Sequence, residues 1–525
     1  MVAMRHFGCL ILIASMIITA TERASAGVES ADITLDYVTK KAEARARKPF
    51  HSPKGELPDV LHADKLNYDQ YREIRFRHDQ ALWAADKLPF QVEFFHPGYI
   101  YQEPVHINEF SANFVQTVRF VQDFFDYGKL SIKHQVPANT GYAGFRVLYA
   151  LNVPDRMDEL GAFLGASYYR LLGKDQHYGE SARGLALDCG EGDRPEEFPI
   201  FTDWWLGKPQ PEDKELHLFA ILDSVSCAGA YEFHIQPGET TTVEVEAVVF
   251  MRDQTNILAA DAKRKPLATL GLAPLTSMFW FGKNSERKFD DYRPEVHDSD
   301  GLLMRMENET LWRPVNNPAQ MQHQRFYAKD IKGFGLLQRE RDFAAYQDLF
   351  NSYQLVPSVW VEPKGHWGEG DIHLVELSTQ FEGLDNIVAF WDPKTKPAPL
   401  QPYHFAYTLY WTRETDRKLS PNHVIATRIG LDSRNPKWRQ IVIDFTGPKL
   451  AALPQGTSPQ PIASCSDNAS ITDNQIFQMS TNGTWRAIIK MEPKPDNKDP
   501  VDIRCTLKKG DEVLTETWTY HWSPP

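Results

Sequence analysis

Two stretches hold the residue types best suited to chemistry. Residues 285–302 read SERKFDDYRPEVHDSDGL, where carboxylates are interleaved with basic side chains around Tyr292 and His297. Residues 353–391 place Trp360, Lys364, His366, Trp367 and Trp391 close in sequence to further acids. Paired carboxylates beside aromatic rings are what glycoside cleavage needs. One carboxylic acid protonates the leaving oxygen, and the other activates water or attacks carbon. A bland reading stands beside this one: a solvated charged loop, and tryptophans that belong to a core. Trp391 lies in an apolar run and reads as core. Neighbours on a strand face opposite sides, so at most one of Trp204 and Trp205 is a sugar platform. The fragment 298–301 (DSDG) resembles part of a calcium loop, but Val296 stands where that loop needs its first aspartate. No metal and no cofactor is expected.

Other chemistries lack their signatures. The sequence contains no P-loop, no G-x-G-x-x-G, no G-x-S-x-G and no H-E-x-x-H. The formal net charge of −13 argues against a phosphate backbone as partner, so no nucleic acid is expected. The 525 residues, 42% hydrophobic and 24% charged, fit two or three folded domains rather than disorder.

Residues 1–26 read as a secretory leader. Arg5 and His6 precede an apolar run over 10–19, and Ala24-Ser25-Ala26 forms a cleavage site. The run is too short to span a bilayer. Export to the periplasm with cleavage after Ala26 is therefore expected. Four cysteines remain: Cys189, Cys227, Cys465 and Cys505. An oxidising compartment permits disulfides. Proximity favours Cys189 with Cys227 and Cys465 with Cys505, against four buried thiols.

The elements that must position these residues are mostly strands. A helix is expected over 30–47, capped by Ser30, and another over 68–75. Strands are expected over 91–95, 99–101, 131–134, 372–376, 387–391 and 405–411, and a hairpin over 231–250. Short strands without regular intervening helices predict an all-β fold. The polar stretch 413–423 marks a boundary. The expected organisation is a large N-terminal β-sandwich over 27–413 and a small immunoglobulin-like β-sandwich over 420–525.

Several segments carry a resemblance. They are 68–76 (YDQYREIRF), 88–91 (LPFQ), 94–98 (FFHPG), 293–299 (RPEVHDS), 312–314 (WRP), 333–339 (GFGLLQR) and 385–391 (DNIVAFW). In this order they are similar to the periplasmic glucan biosynthesis family, called OpgG/OpgD or MdoG. The resemblance implies a galactose-mutarotase- or glycosidase-like sandwich, an immunoglobulin-like domain and a role in osmoregulated periplasmic glucans. Family members include anomer-inverting endo-β-1,2-glucanases. By resemblance Asp385 is the general acid and Asp298 the general base. Substrate contacts are expected from Tyr353, Trp312, Arg313, Trp360, Lys364, His366, Trp367 and Glu382. As an acid Asp385 needs a raised pKa, from burial or from Glu382, while Arg293 and His297 would favour the Asp298 anion. Expected partners are β-1,2-glucan chains, with a homodimer and a contact to inner-membrane glucan synthesis proteins left open. A transglycosylase making branched or cyclic glucans, and a non-catalytic glucan-binding accessory protein, are the alternatives.

Overall fold

The computed structural model describes residues 32–54, 57–253, 255, 257, 264–285, 288–413 and 420–524. The expected leader, the Ser30 cap and part of the expected boundary lie outside them. The fold is all-β. Alternation decides which face each strand buries: in Cys227–Gln236, Tyr231, Phe233 and Ile235 point inward while Glu232 and His234 are half-buried on the other face. Its hairpin partner is Thr241–Met251, in register from Cys227 opposite Met251 to Gln236 opposite Thr242.

Two large sheets of fifteen and ten strands enclose the main core. Helix Leu35–Ala46 lies outside the larger sheet, capped by Thr34, with Val38, Ala42 and Ala46 against Trp205, Ala228, Ala230 and Phe250. Trp204 faces the main core and Trp205 faces this helix, so both are buried and neither is a platform.

The larger sheet does not stop at the polar stretch. Strand Thr517–Trp522 runs parallel to Thr310–Pro314, with Trp312 opposite Trp518. The C-terminal strands Gln460–Cys465, Val501–Lys509 and Thr517–Trp522 thereby extend the N-terminal sheet. A separate four-stranded sheet, in the order His423–Leu431, Arg439–Thr446, Trp485–Pro493 and Ala469–Gln478, packs across them.

Three local expectations are corrected. Residues 131–134 are no strand: the helical turn Lys133–Gln135 sits there, held by Gln122 Nε2 donating to the Val136 carbonyl at 3.0 Å. Residues 99–101 form a tight turn, closed by reciprocal backbone bonds between Gly98 and Tyr101 at 2.9 and 3.0 Å. All four cysteines are free thiols. Cys465 faces Ile503 while Cys505 faces Ala463, a diagonal of roughly 7–8 Å where a disulfide needs Cβ atoms about 3.8 Å apart. Cys189 packs with Val375 and Phe390, whereas Cys227 lies in the main core.

Candidate active site

One short segment, residues 277–279, positions both aspartates. Strand Val296–His297 pairs with Phe279–Phe281, and the Asp298 amide donates to the Met278 carbonyl at 2.8 Å. The Ser277 and Ser299 hydroxyls are 2.7 Å apart. On the other side Asn386 is fully buried; its Oδ1 accepts from the Phe279 amide at 2.8 Å and its Nδ2 donates to the Leu377 carbonyl at 3.0 Å. That side chain locks the turn that presents Asp385 just before strand Ile387–Pro393. Thr276, at the end of the neighbouring strand, donates its hydroxyl to Asp385 Oδ2 at 3.4 Å.

The electrostatics are unusual for two carboxylates. Burial, then the charge of Asp385, pushes Asp298 up to about 8, against the pull of Arg170 and His297. Burial also raises Asp385, opposed by Arg170 and the Thr276 hydroxyl. Gly179 leaves the room this needs: a Cβ there would meet the Asp298 carboxyl at 3.2 Å and Val356 at 2.1 Å. Glu180 is a third carboxylate in the same place. It is 1% exposed, its Oε2 accepts from the Val359 amide at 3.2 Å, and its Oε1 has no hydrogen-bond partner. Burial and then Asp298 hold it well above the ordinary glutamate value.

Tyr353 and Glu382 flank this cluster. The Tyr353 hydroxyl donates to Glu382 Oε2 at 3.1 Å, and burial and Asp298 both raise its pKa. Gln338 Nε2 bridges the segments, donating to the carbonyls of His297 at 2.8 Å and Tyr353 at 3.3 Å. Arg293 pairs with three other carboxylates. Its guanidinium holds Glu382 and Asp348, each at 2.7 Å, together with Asp291. Glu382 raises Asp298 rather than Asp385. Asp300, the other acid of the calcium-like fragment, spends one oxygen on the amides of Arg339 and Glu340 at 2.6 and 2.8 Å.

The structure therefore brings Asp298, Asp385, Tyr353 and Glu382 together and puts the other named residues elsewhere. Trp312 and Trp360, each 2% exposed, belong to the core between the N- and C-terminal parts. Arg313 is buried on Glu376 at 2.9 Å. Lys364 pairs with Glu244, and His366 with Asp330. Both lie beyond or at the far end of strand Ser358–Lys364, a strand about 20 Å long whose other end is tied to Gln338. Trp367 packs on Trp391 and Tyr407. The exposed rings are different ones, carried on the segments that Arg293 ties together: Tyr292, Phe350 and Phe381, at 75, 96 and 57% exposure. Asp348 shapes the loop that carries Phe350 by accepting from the amides of Phe350 and Asn351 at 2.8 and 2.9 Å.

Sequence reasoning missed Arg170, Glu180, Phe350 and Phe381, and named Tyr292 only as the centre of a charged stretch. Arg170 and Glu180 sit in the segment 167–181, where Tyr168, Tyr169 and Tyr178 stand among few acids. The available signal was the loop 348–351 and its neighbours, where large apolar residues interrupt a polar run.

The family described as "Periplasmic glucan biosynthesis protein, MdoG" matches residues 33–522. The chain is 42% identical over 499 residues to "Glucans biosynthesis protein G" of Ralstonia nicotianae, covering 93% of this chain and 96% of that protein.

Proposed function

Since the chain belongs to the periplasmic glucan biosynthesis (MdoG) family, we propose that it cuts β-1,2-glucan internally with inversion at the anomeric carbon, Asp385 acting as general acid and Asp298 as general base. The family's description is periplasmic, and among the described residues no helix is long and apolar enough to cross a membrane.

The observation that carries this reading is the aspartate pair. Both carboxyls are raised by burial, both face Arg170, and one segment holds both. Two coupled carboxyls that resist ionisation share a proton near neutrality, which supplies one acid and one base at once. In the ligand-free chain that proton favours Asp298, because Asp385 keeps the Thr276 hydroxyl as a donor. Sugar docked over Asp385 strips it of water and drives the proton towards it. Asp298, with His297 beside it, then takes the charge and orders the attacking water. Tyr353 and Glu382 meet sugar hydroxyls at the cleft wall, and the exposed rings Tyr292, Phe350 and Phe381 stack on glucosyl units.

The test uses the purified mature protein with linear β-1,2-glucan, beside Asp385→Asn and Asp298→Asn. Product size, new reducing ends and the anomer first released are followed. Short products from the wild type alone, released with inverted configuration, support the reading. Products without new reducing ends mean transfer to a sugar hydroxyl. Unchanged glucan with binding retained in all three proteins overturns the hydrolase in favour of a binding accessory. A sophorosyl donor with a good leaving group separates the roles, since it needs no acid. Asp385→Asn should keep cleaving it and Asp298→Asn should not.

A further inference from the structure

Outside the aspartate site, the outer face of the larger sheet gathers a second set of chemically capable side chains. Strands Leu216–Asp223 and Cys227–Gln236 run antiparallel there, with His217 directly opposite His234 and Phe219 opposite Glu232. The period of two puts Glu232 and His234 on the same face. The two imidazoles stack, centroids 4.3 Å apart and planes 17° from parallel. Glu232 Oε1 lies between their edges, 2.7 Å from His217 Nε2 and 3.2 Å from His234 Nε2. One donor atom from each of the three side chains lies within 4.8 Å of the others.

The surroundings orient these donors. His234 Nδ1 is 2.7 Å from Glu215 Oε1, and the other Glu215 oxygen accepts from Gln236 Nε2 at 2.6 Å. Glu215 therefore fixes the ring with Nε2 turned to Glu232. A carboxylate behind a histidine is the arrangement that orients and strengthens a metal-ligating imidazole. The side chains of His217, Glu232 and His234 are 34, 18 and 33% exposed, so an ion and its waters reach them from solvent.

Both imidazoles and Glu232 can be drawn onto one cation, since a donor atom of each already lies within 4.8 Å of the others. Donor atoms sharing a tetrahedral ion at ~2.0–2.1 Å lie ~3.3 Å apart, so the stacked rings must tilt out of parallel to aim both nitrogens at one ion. Two imidazole nitrogens and one carboxylate oxygen suit zinc and its late transition-metal neighbours better than calcium or magnesium, which prefer all-oxygen sets. We infer that His217, Glu232 and His234 form a zinc-class divalent cation site on the outer face of the sheet, oriented by Glu215 and completed by water. It shares no residue with the aspartate site and does not depend on the proposed cleavage.

The experiment uses the mature chain, free of any histidine tag and stripped with a chelator. Zinc is titrated calorimetrically, and cobalt(II) by visible absorption. One equivalent per chain is expected, with intense d–d bands from cobalt and a higher Tm with zinc, because the ion binds the folded state. His217→Gln/His234→Gln should abolish binding, and Glu215→Gln should weaken it about 10–100-fold. If the double variant does not fold, Glu232→Gln, which keeps the side chain's volume, decides by losing at least tenfold in affinity. No stoichiometric zinc binding by the wild type overturns the inference, as does binding that survives these substitutions undiminished.

Discussion

Two regions of this molecule bury charge beside aromatic rings, and they do so in opposite ways. At the junction of the N- and C-terminal parts every such carboxylate named here meets an arginine. Arg313 donates to Glu376 at 2.9 Å, and the Asn316 amide donates to the same carboxylate at 2.7 Å. Arg339 holds Glu516 at 2.7 Å, with its guanidinium 3.5 Å from the centroid of the Trp312 ring. At the aspartate site the buried Asp298 and Glu180 crowd against the half-buried Asp385, and the charge of Arg170 only partly offsets the burial of the two aspartates. Buried charge with matched donors serves architecture. Buried carboxyls without them keep their protons to unusual pH, which is what acid–base chemistry uses.

The comparison is broken most severely at the site itself. Asp385→Asn and Asp298→Asn are each expected to lower cleavage of β-1,2-glucan by at least about 1,000-fold with the fold intact, read by reducing-end release and circular dichroism. The junction should answer in the other way. Glu376→Gln leaves Arg313 buried and unpaired, and is expected to cost about 3–5 kcal/mol in urea unfolding. The turnover of the protein that remains folded should stay within about twofold.

Protonation sharpens the contrast. Asp298 ionises near 8 in the folded chain and near 3.9 when unfolded, so the folded state holds the extra proton between these values. The stability it contributes is complete below about pH 4 and is lost as pH rises towards 8. Asp298→Asn should therefore stabilise the chain by roughly 2–4 kcal/mol at pH 8 and scarcely at pH 4. Glu180→Gln should act in the same direction, by about 1–2 kcal/mol at neutral pH, and leave the acidic limb of the pH–rate profile in place, because Glu180 still holds its proton where Asp298 ionises. A stability gain independent of pH would count against both. The smallest effects are expected far from either region: Lys364→Ala and His366→Ala should change stability by under about 0.5 kcal/mol and cleavage by less than twofold.

Much of the fold was legible because strand alternation is local. The hairpin over 231–250 and the strands near 372–376, 387–391 and 405–411 are present, extended by a few residues at their ends. Residues 131–134 misled because a few alternating residues cannot distinguish a strand from a helical turn without knowing whether a neighbour offers backbone partners. The site was partly legible. Asp298 and Asp385 lie in segments that carry the family resemblance, Tyr353 and Glu382 in the stretch 353–391 with its tryptophans and acids, and all four converge. The tryptophans did not follow, because an indole on a strand fits a core as well as a sugar, and only packing distinguishes the two. Trp360 illustrates this: its ring lies against Gly333, where a Cβ would come within 2.2 Å of it.

By itself the sequence determined the strand-rich character of the chain, its family, and the two aspartates placed beside short turn-forming residues. These follow from local period, composition and motif. Tertiary structure decided which charges meet. Arg170 and Glu180 reach Asp298 only because separate elements of the sandwich come together at one end, and Trp312 is buried only because Thr517–Trp522 pairs with its strand. Coulomb energy and desolvation depend on distance through space and on the exclusion of water. The order of residues along the chain records neither quantity.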